Sequence, residues 1–216
     1  MPRSDEQQGD NDPRSARMRQ QRRQQIVAAA KRVFAERGYH NASISDIIGT
    51  AKIARGTFYL YFASKHLVFE SILEAAIQEL RSRITRVNIE QGAPPPQVQL
   101  RGSLCRVFDY LIDDRDFTTM LLHQGLSTDA EVAARVSSFY EHVTDLIKSS
   151  LDHGITMGLV RQCDTSLVAS ALLGTVRGII SHLLSQPEEP DTEAVVDELI
   201  AFSLRGVVRG GRWDGM

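Results

Sequence analysis

The clearest pattern along the chain is an apolar stripe of helical period. Ile26, Ala29, Ala30, Val33 and Phe34 recur at intervals of three and four, which sets them on one helix face, and Gly38 stands where such a helix is capped. The spacing predicts a helix from about Ala16 to Gly38. The next segment repeats the pattern in miniature. Ile44, Ile47, Ile48 and Ala51 share a face, and Ser43 and Asp46 have the spacing of a capping box, so a short second helix is expected. A three-residue break, Lys52-Ile53-Ala54, leads into RGTFYLYFASK at 55–65, where Phe58 and Phe62 are four apart and face one way. Three helices of decreasing length, the last two split by a short break, form a helix-turn-helix arrangement.

The remainder also reads as helical. A long helix is expected from His66 to about Glu90, ended by the QGAPPPQ linker, with further helices over 98–113, 116–125, 128–153, 164–185 and 192–208. No alternating pattern of strand type stands out, so the expected fold class is all-α. The expected organisation is a polar disordered tail at 1–15, a helix-turn-helix domain at 16–65 and a larger helical domain at 66–216.

Charge changes this picture. The formal net charge is −2. Residues 1–65 hold 12 Lys/Arg and 6 Asp/Glu, a balance of +6, and residues 66–216 hold 13 and 21, a balance of −8. A basic first segment on an acidic body points to a polyanionic partner for that segment, against the plainer reading of a solvated polar helix. The aromatic residues add to the question. Four of the fourteen (Phe58, Tyr59, Tyr61 and Phe62) fall within five positions, as a packed core, as a face toward a polyanion, or as both.

These residues carry a family resemblance. Gly38-Tyr39, the opening Ser43-Ile44-Ser45-Asp46-Ile47 and RGTFYLYFASK are similar to the DNA-binding domain of TetR-family regulators, over roughly residues 20–69. The resemblance implies a homodimeric transcription regulator, a repressor released from a palindromic double-stranded DNA operator by a small hydrophobic or amphipathic effector. Two departures stand out. Lys52 occupies the turn position where the family usually has Gly, and Ala54 the position where Ser commonly caps the recognition helix.

The residues expected to meet DNA are Ser43, Ser45, Lys52, Arg55, Gly56, Thr57, Tyr59, Tyr61 and Lys65. Arg55 suits bidentate bonding to guanine and Thr57 a base edge or a thymine methyl. Gly56 permits close backbone approach, and the tyrosine hydroxyls reach phosphates. Lys65, expected at the first position of a helix capped by Ser64, opposes the helix dipole, a cost that a neighbouring phosphate would offset.

In the larger domain, the central cavity that the resemblance implies makes Phe108, Leu111, Met120, His123, Phe139 and Tyr140 candidate effector contacts, with core packing as the plainer reading. Ser170, Gly174 and Gly178 recur every four residues, a small-residue stripe that permits close helix approach. With Val196, Leu199 and Ile200 they are the dimer interface that the resemblance implies, with packing against the domain's own helices as the plainer reading. Arg177, the charge inside the apolar run 167–184, is expected to pair with an acid across the dimer or to meet an anionic effector; with His182 it argues against a membrane span.

Other chemistry finds little support. Two isolated cysteines, Cys105 and Cys163, form neither a disulfide framework nor a zinc ligand set, and the N-terminus lacks the apolar run of a secretion signal. No Glu-x-x-His pair, phosphate-binding Gly-rich loop or nucleophile elbow occurs, so no metal, cofactor or enzyme activity is expected, and the cytoplasm is the expected compartment. Two rival readings remain: a DNA-binding dimer with no small-molecule input, and a helical enzyme or carrier bearing a helix-turn-helix.

Overall fold

The computed structural model describes residues 13–124, 129–188 and 190–205. Among the described residues all regular structure is helical: α1 Pro13–Asn41, α2 Ile44–Ala51, α3 Arg55–Tyr61, α4 Lys65–Arg83, α5 Pro96–Asp113, α6 Arg115–Gln124, α7 Ala130–Thr156, α8 Thr165–Ser185 and α9 Thr192–Arg205. The tail expected at 1–15 lies outside the described residues as far as residue 12, and α1 already begins at Pro13. Two compact units divide between Leu73 and Glu74, inside α4 rather than at the expected 65/66.

The first unit is built on the predicted stripe. Ile26, Ala29, Ala30, Val33 and Phe34 are buried, together with Ile47 from α2, Phe58 and Phe62 around α3, and Val68 and Phe69 from α4. Phe34, Tyr39 and Phe69 form a three-ring cluster with centroids 5.2 to 5.8 Å apart. Gly38 lets Tyr39 reach that cluster. Its φ of 72° breaks the helical path within α1, in a region that strains any residue with a Cβ. The first half of α1 lies beyond this core. Arg14, Arg17, Arg19, Arg22 and Arg23 are all exposed, with Arg23 reaching back to the Phe62 ring at 5.1 Å and to Ser71 Oγ at 2.7 Å.

The capping box forms as the spacing predicts. Asp46 N–H donates to Ser43 Oγ at 3.1 Å and Ser43 N–H to Asp46 Oδ2 at 2.9 Å, while Arg37 pairs with Asp46 Oδ1 at 2.8 Å. The Ser43 bonds, then the Arg37 charge, hold the Asp46 carboxyl below its usual range. Helix α2 ends at Lys52, which adopts the left-handed conformation (φ 52°, ψ 48°) and donates its N–H to Gly49 O and Ile48 O. The turn therefore forms as a glycine would make it, with a lysine in it.

The second unit packs α5 to α9 and the end of α4. Phe108, Ile180, Val196 and Leu199 form one buried cluster joining α5, α8 and α9. Arg101 braces α5 to α9, its Nε 2.6 Å from Asp197 and its Nη2 3.0 Å from Glu193. Helix α4 ends at Arg83, short of the expected Glu90. The stop is tertiary. Arg106 donates to Arg83 O at 3.0 Å and to Thr85 Oγ1 at 2.7 Å, and Gln99 binds Asn88 O and Pro94 O, so the segment after α4 is tied to α5 instead of continuing its own ladder.

Replacing Lys52 by Gly is expected to relieve the left-handed strain and stabilise the first unit by about 1 kcal/mol, read as a higher urea midpoint at unchanged slope.

Candidate functional site

Helix α3 has seven residues and begins at Ala54, which supplies no side-chain cap. Its backbone start is held by the Ala54 carbonyl, which accepts from Thr57 N at 3.0 Å and Phe58 N at 3.3 Å. Four residues make slightly more than a turn, so the helix presents four strips of paired side chains. Phe58 and Phe62 form the buried strip. Arg55 and Tyr59 form an exposed one, with the guanidinium carbon 6.0 Å from the ring centroid. Thr57 and Tyr61 are half-buried, and Gly56 and Leu60 are exposed. The two phenylalanines thus answer the core reading of the aromatic cluster, and Arg55, Gly56, Thr57, Tyr59 and Tyr61 remain at the surface, as the sequence predicts.

A Cβ placed on Gly56 meets nothing within 4 Å, so packing within the chain does not require glycine there. Lys52 and Ser45 are exposed beside this helix in the sequence. Leu60 was not among the predicted site residues, although it is 82% exposed. Its signal is its position: at about 100° per residue it lies opposite the Phe58/Phe62 strip.

Two expectations need correction. Ser43 Oγ gives its single proton to Asp46 Oδ2 at 2.6 Å, so that hydroxyl serves the α2 cap and has no proton for a phosphate. Lys65 does lie at the first position of α4, and Ser64 Oγ accepts from Leu67 N at 3.3 Å as the expected cap. Its ammonium, however, turns back to the end of α1. Lys65 Nζ donates to Tyr39 O at 2.9 Å, Ala42 O at 2.8 Å and His40 O at 3.4 Å, and lies 4.4 Å from the Tyr39 ring centroid. The cation unfavourable at the start of α4 is favourable at the C-terminal carbonyls of α1. Its hydrogen bonds to the carbonyls of Tyr39, His40 and Ala42 give the lysine a structural role at this position.

The candidate residues of the second unit separate in the same way. Phe108 and Leu111 belong to the α5/α8/α9 cluster, and Met120 and Phe139 are buried, with Phe139 6.1 Å from Phe117. Phe108, Met120 and Phe139 are core residues, and Leu111 packs partly buried against the Phe108 cluster. His123 and Arg177 line an open groove of about 790 Å³, with Thr119, Gly174, Gly178 and Ser181. Tyr140 lines a smaller neighbouring depression of about 320 Å³ and carries the Arg177 guanidinium 4.2 Å above its ring centroid. Burial raises the Tyr140 phenol above its ordinary pKa, and the Arg177 charge opposes that rise.

The expected interface set also divides. Val196 and Leu199 are buried within the unit against Phe108 and are intramolecular core, while Ile200 packs beside them and is half-buried. Ser170, Gly174 and Gly178 are exposed, and a Cβ on either glycine meets nothing within 4 Å. Helix α8 has a mean hydropathy of 1.6 over its most apolar window, of which 11% is buried. Its large apolar residues other than Leu167 are partly or wholly buried, so the face left exposed is that of Leu167, Ser170, Gly174 and Gly178.

Residues 26–72 match the profile of the bacterial regulatory proteins of the tetR family. The HTH-type transcriptional activator FasR of Mycolicibacterium smegmatis is 25% identical over 191 residues, covering 88% of this chain and 84% of that protein. The structure of the fatty acid degradation regulator FadR from Bacillus halodurans superposes with a TM-score of 0.72 at 25% identity, covering 86% of this chain and 96% of that one. FadR from Bacillus subtilis, solved with stearoyl-CoA, shares the fold with a TM-score of 0.70 at 21% identity, over 86% and 99% of the two chains.

The Lys65 geometry has a direct test. Lys65→Ala is expected to lower the stability of the first unit by about 1–2 kcal/mol, from lost charge-assisted bonds to carbonyls. Denaturation by urea measures it. Unchanged stability with a shallower salt dependence of DNA binding would restore the phosphate assignment.

Proposed function

We propose that this chain, which belongs to the TetR family of bacterial regulatory proteins, acts as a homodimeric repressor that an amphipathic small molecule releases from its operator. The match of residues 26–72 to the tetR profile and the likeness to FasR support a DNA-binding transcriptional regulator. The observation that carries DNA binding is the division of α3. One side is locked into the core by Phe58 and Phe62, and the other holds Arg55, Gly56, Thr57, Tyr59 and Tyr61 at the surface.

In that reading α3 enters the major groove. Arg55 donates to guanine O6 and N7, Thr57 meets a base edge, and Gly56 lets the backbone approach. Ser45, Lys52 and the two tyrosines bind phosphates and set register. The exposed arginines of α1 add to the sequence-independent attraction. DNA as the target makes the cytoplasm the proposed compartment.

A second copy of the chain is the proposed cover for α8. Gly174 and Gly178 have room for a side chain within their own unit, so close approach by another helix gives their small size a reason. The groove that these glycines themselves line adjoins the proposed dimer seam, and its part at Arg177, Leu122 and Leu184 suits an amphipathic effector with an anionic group at Arg177. Long-chain acyl-CoA is the class to try first, because FadR of Bacillus subtilis was solved with stearoyl-CoA. Such an effector acts only through its preference for the dimer geometry that does not fit the operator; a hundredfold preference is worth about 2.7 kcal/mol. Because the relative FasR is named an activator, a promoter fusion in the presence and absence of the protein decides the sign of regulation.

Band-shift titration against the protein's own upstream DNA tests the reading; absence of a sequence-specific complex at moderate salt would sink it. With a complex in hand, Arg55→Ala is expected to relax base preference at one position per half-site, at a cost of about 1–3 kcal/mol. Stearoyl-CoA is expected to dissociate the complex. In sedimentation, Gly174→Leu is expected to give monomer, and an unchanged dimer would move the interface off this stripe.

A further inference from the structure

The strip of α3 that faces furthest from the core is Gly56 with Leu60, and the helix concentrates its chemistry on either side of it. Leu60 is 82% exposed, more than any other large apolar residue described in the chain. A single exposed leucine is ordinary on a protein surface. This one has particular neighbours. Gly56, one turn before it, is a poor helix former with open space where its Cβ would be, so the side chain of Leu60 projects beyond bare backbone. Arg55 is exposed on the adjoining strip, and Thr57, three residues before Leu60, adjoins it on the other side. Between Lys52 and Lys65 there is no acidic residue. A hydrocarbon tip thus lies beside a cation, Arg55, and a hydroxyl, Thr57, in a segment that has no acidic residue.

A partner for this surface must be anionic around its rim and apolar at one point. In the major groove the base edges present hydrogen-bond donors and acceptors, and one hydrocarbon group, the C5-methyl of thymine. We propose that Leu60 is a specificity-determining residue that packs against the methyl of one thymine in each operator half-site, across the space left open by Gly56. The proposal rests on the reading of the chain as a DNA-binding regulator and adds to it a base that neither Arg55 nor the phosphate contacts would select.

The experiment deletes the methyl and nothing else. Duplexes that the full-length protein retains from a random pool supply the binding site, and each thymine of one half-site is then replaced singly by deoxyuridine. Wild-type protein is expected to lose about three- to fivefold in affinity at one thymine, the size of one buried methyl. Leu60→Ala, an exposed change that leaves the fold intact by circular dichroism, is expected to bind the thymine and uracil duplexes within about 1.5-fold of each other. Thr57→Ser is expected to keep the discrimination.

The inference is overturned if no thymine is sensitive, if Leu60→Ala discriminates as wild type does, or if Thr57→Ser abolishes the difference. A pool that yields no preferred duplex overturns the regulator reading, and this inference with it. A specific complex indifferent to uracil overturns this inference alone.

Discussion

A helix of seven residues has no stability of its own in water, and α3 also lacks a side-chain cap. It exists because Phe58 and Phe62 are buried, each worth about 1.5–3 kcal/mol. That burial fixes the rotation of α3, and rotation decides which side chains face outward. Every functional reading of the first unit depends on this single constraint. The same four-residue interval that hides two aromatics brings Arg55 beside Tyr59 and Gly56 beside Leu60. The supports around α3 lie outside it: the box at Ser43 and Asp46, the left-handed Lys52, and Lys65 on the last carbonyls of α1.

The second unit poses the opposite problem. Its internal demands are met by the Phe108 cluster and the brace from Arg101, yet α8 keeps one face exposed, at Leu167, Ser170, Gly174 and Gly178. An exposed leucine beside small residues leaves room for a second helix. The small residues at 170, 174 and 178 make the uncovered face smooth, and Arg177 over Tyr140 makes one part of it cationic. The distinction between a helix apolar for its own core and one apolar for a partner lies in which residues remain exposed after folding.

That distinction also marks how far the sequence was legible. Periodicity located the helices, because an apolar stripe needs no knowledge of what covers it. The capping box was legible because its two residues are three apart. Contacts between distant residues were not. The end of α4 depends on Arg106, far along the chain from the carbonyl it binds, and no local stop signal marks Arg83. Lys65 was assigned from its neighbours in sequence, while its partners are carbonyls at Tyr39, His40 and Ala42. Val196 and Leu199 had the right periodicity for an interface and were claimed by Phe108 instead. Leu60 was passed over because hydrocarbon attracts notice only when its exposure is known.

The exposed half of α1 has a practical consequence. Its five arginines belong to a segment whose balance is +6, in a protein whose total is −2 and whose isoelectric point is near 6.3. At neutral pH the total charge would assign the protein to an anion exchanger. A sulfated matrix such as heparin, however, is drawn to the basic segment, whatever the total charge. Retention on such a column, and the nucleic acid carried through a purification, will follow the local charge and not the isoelectric point.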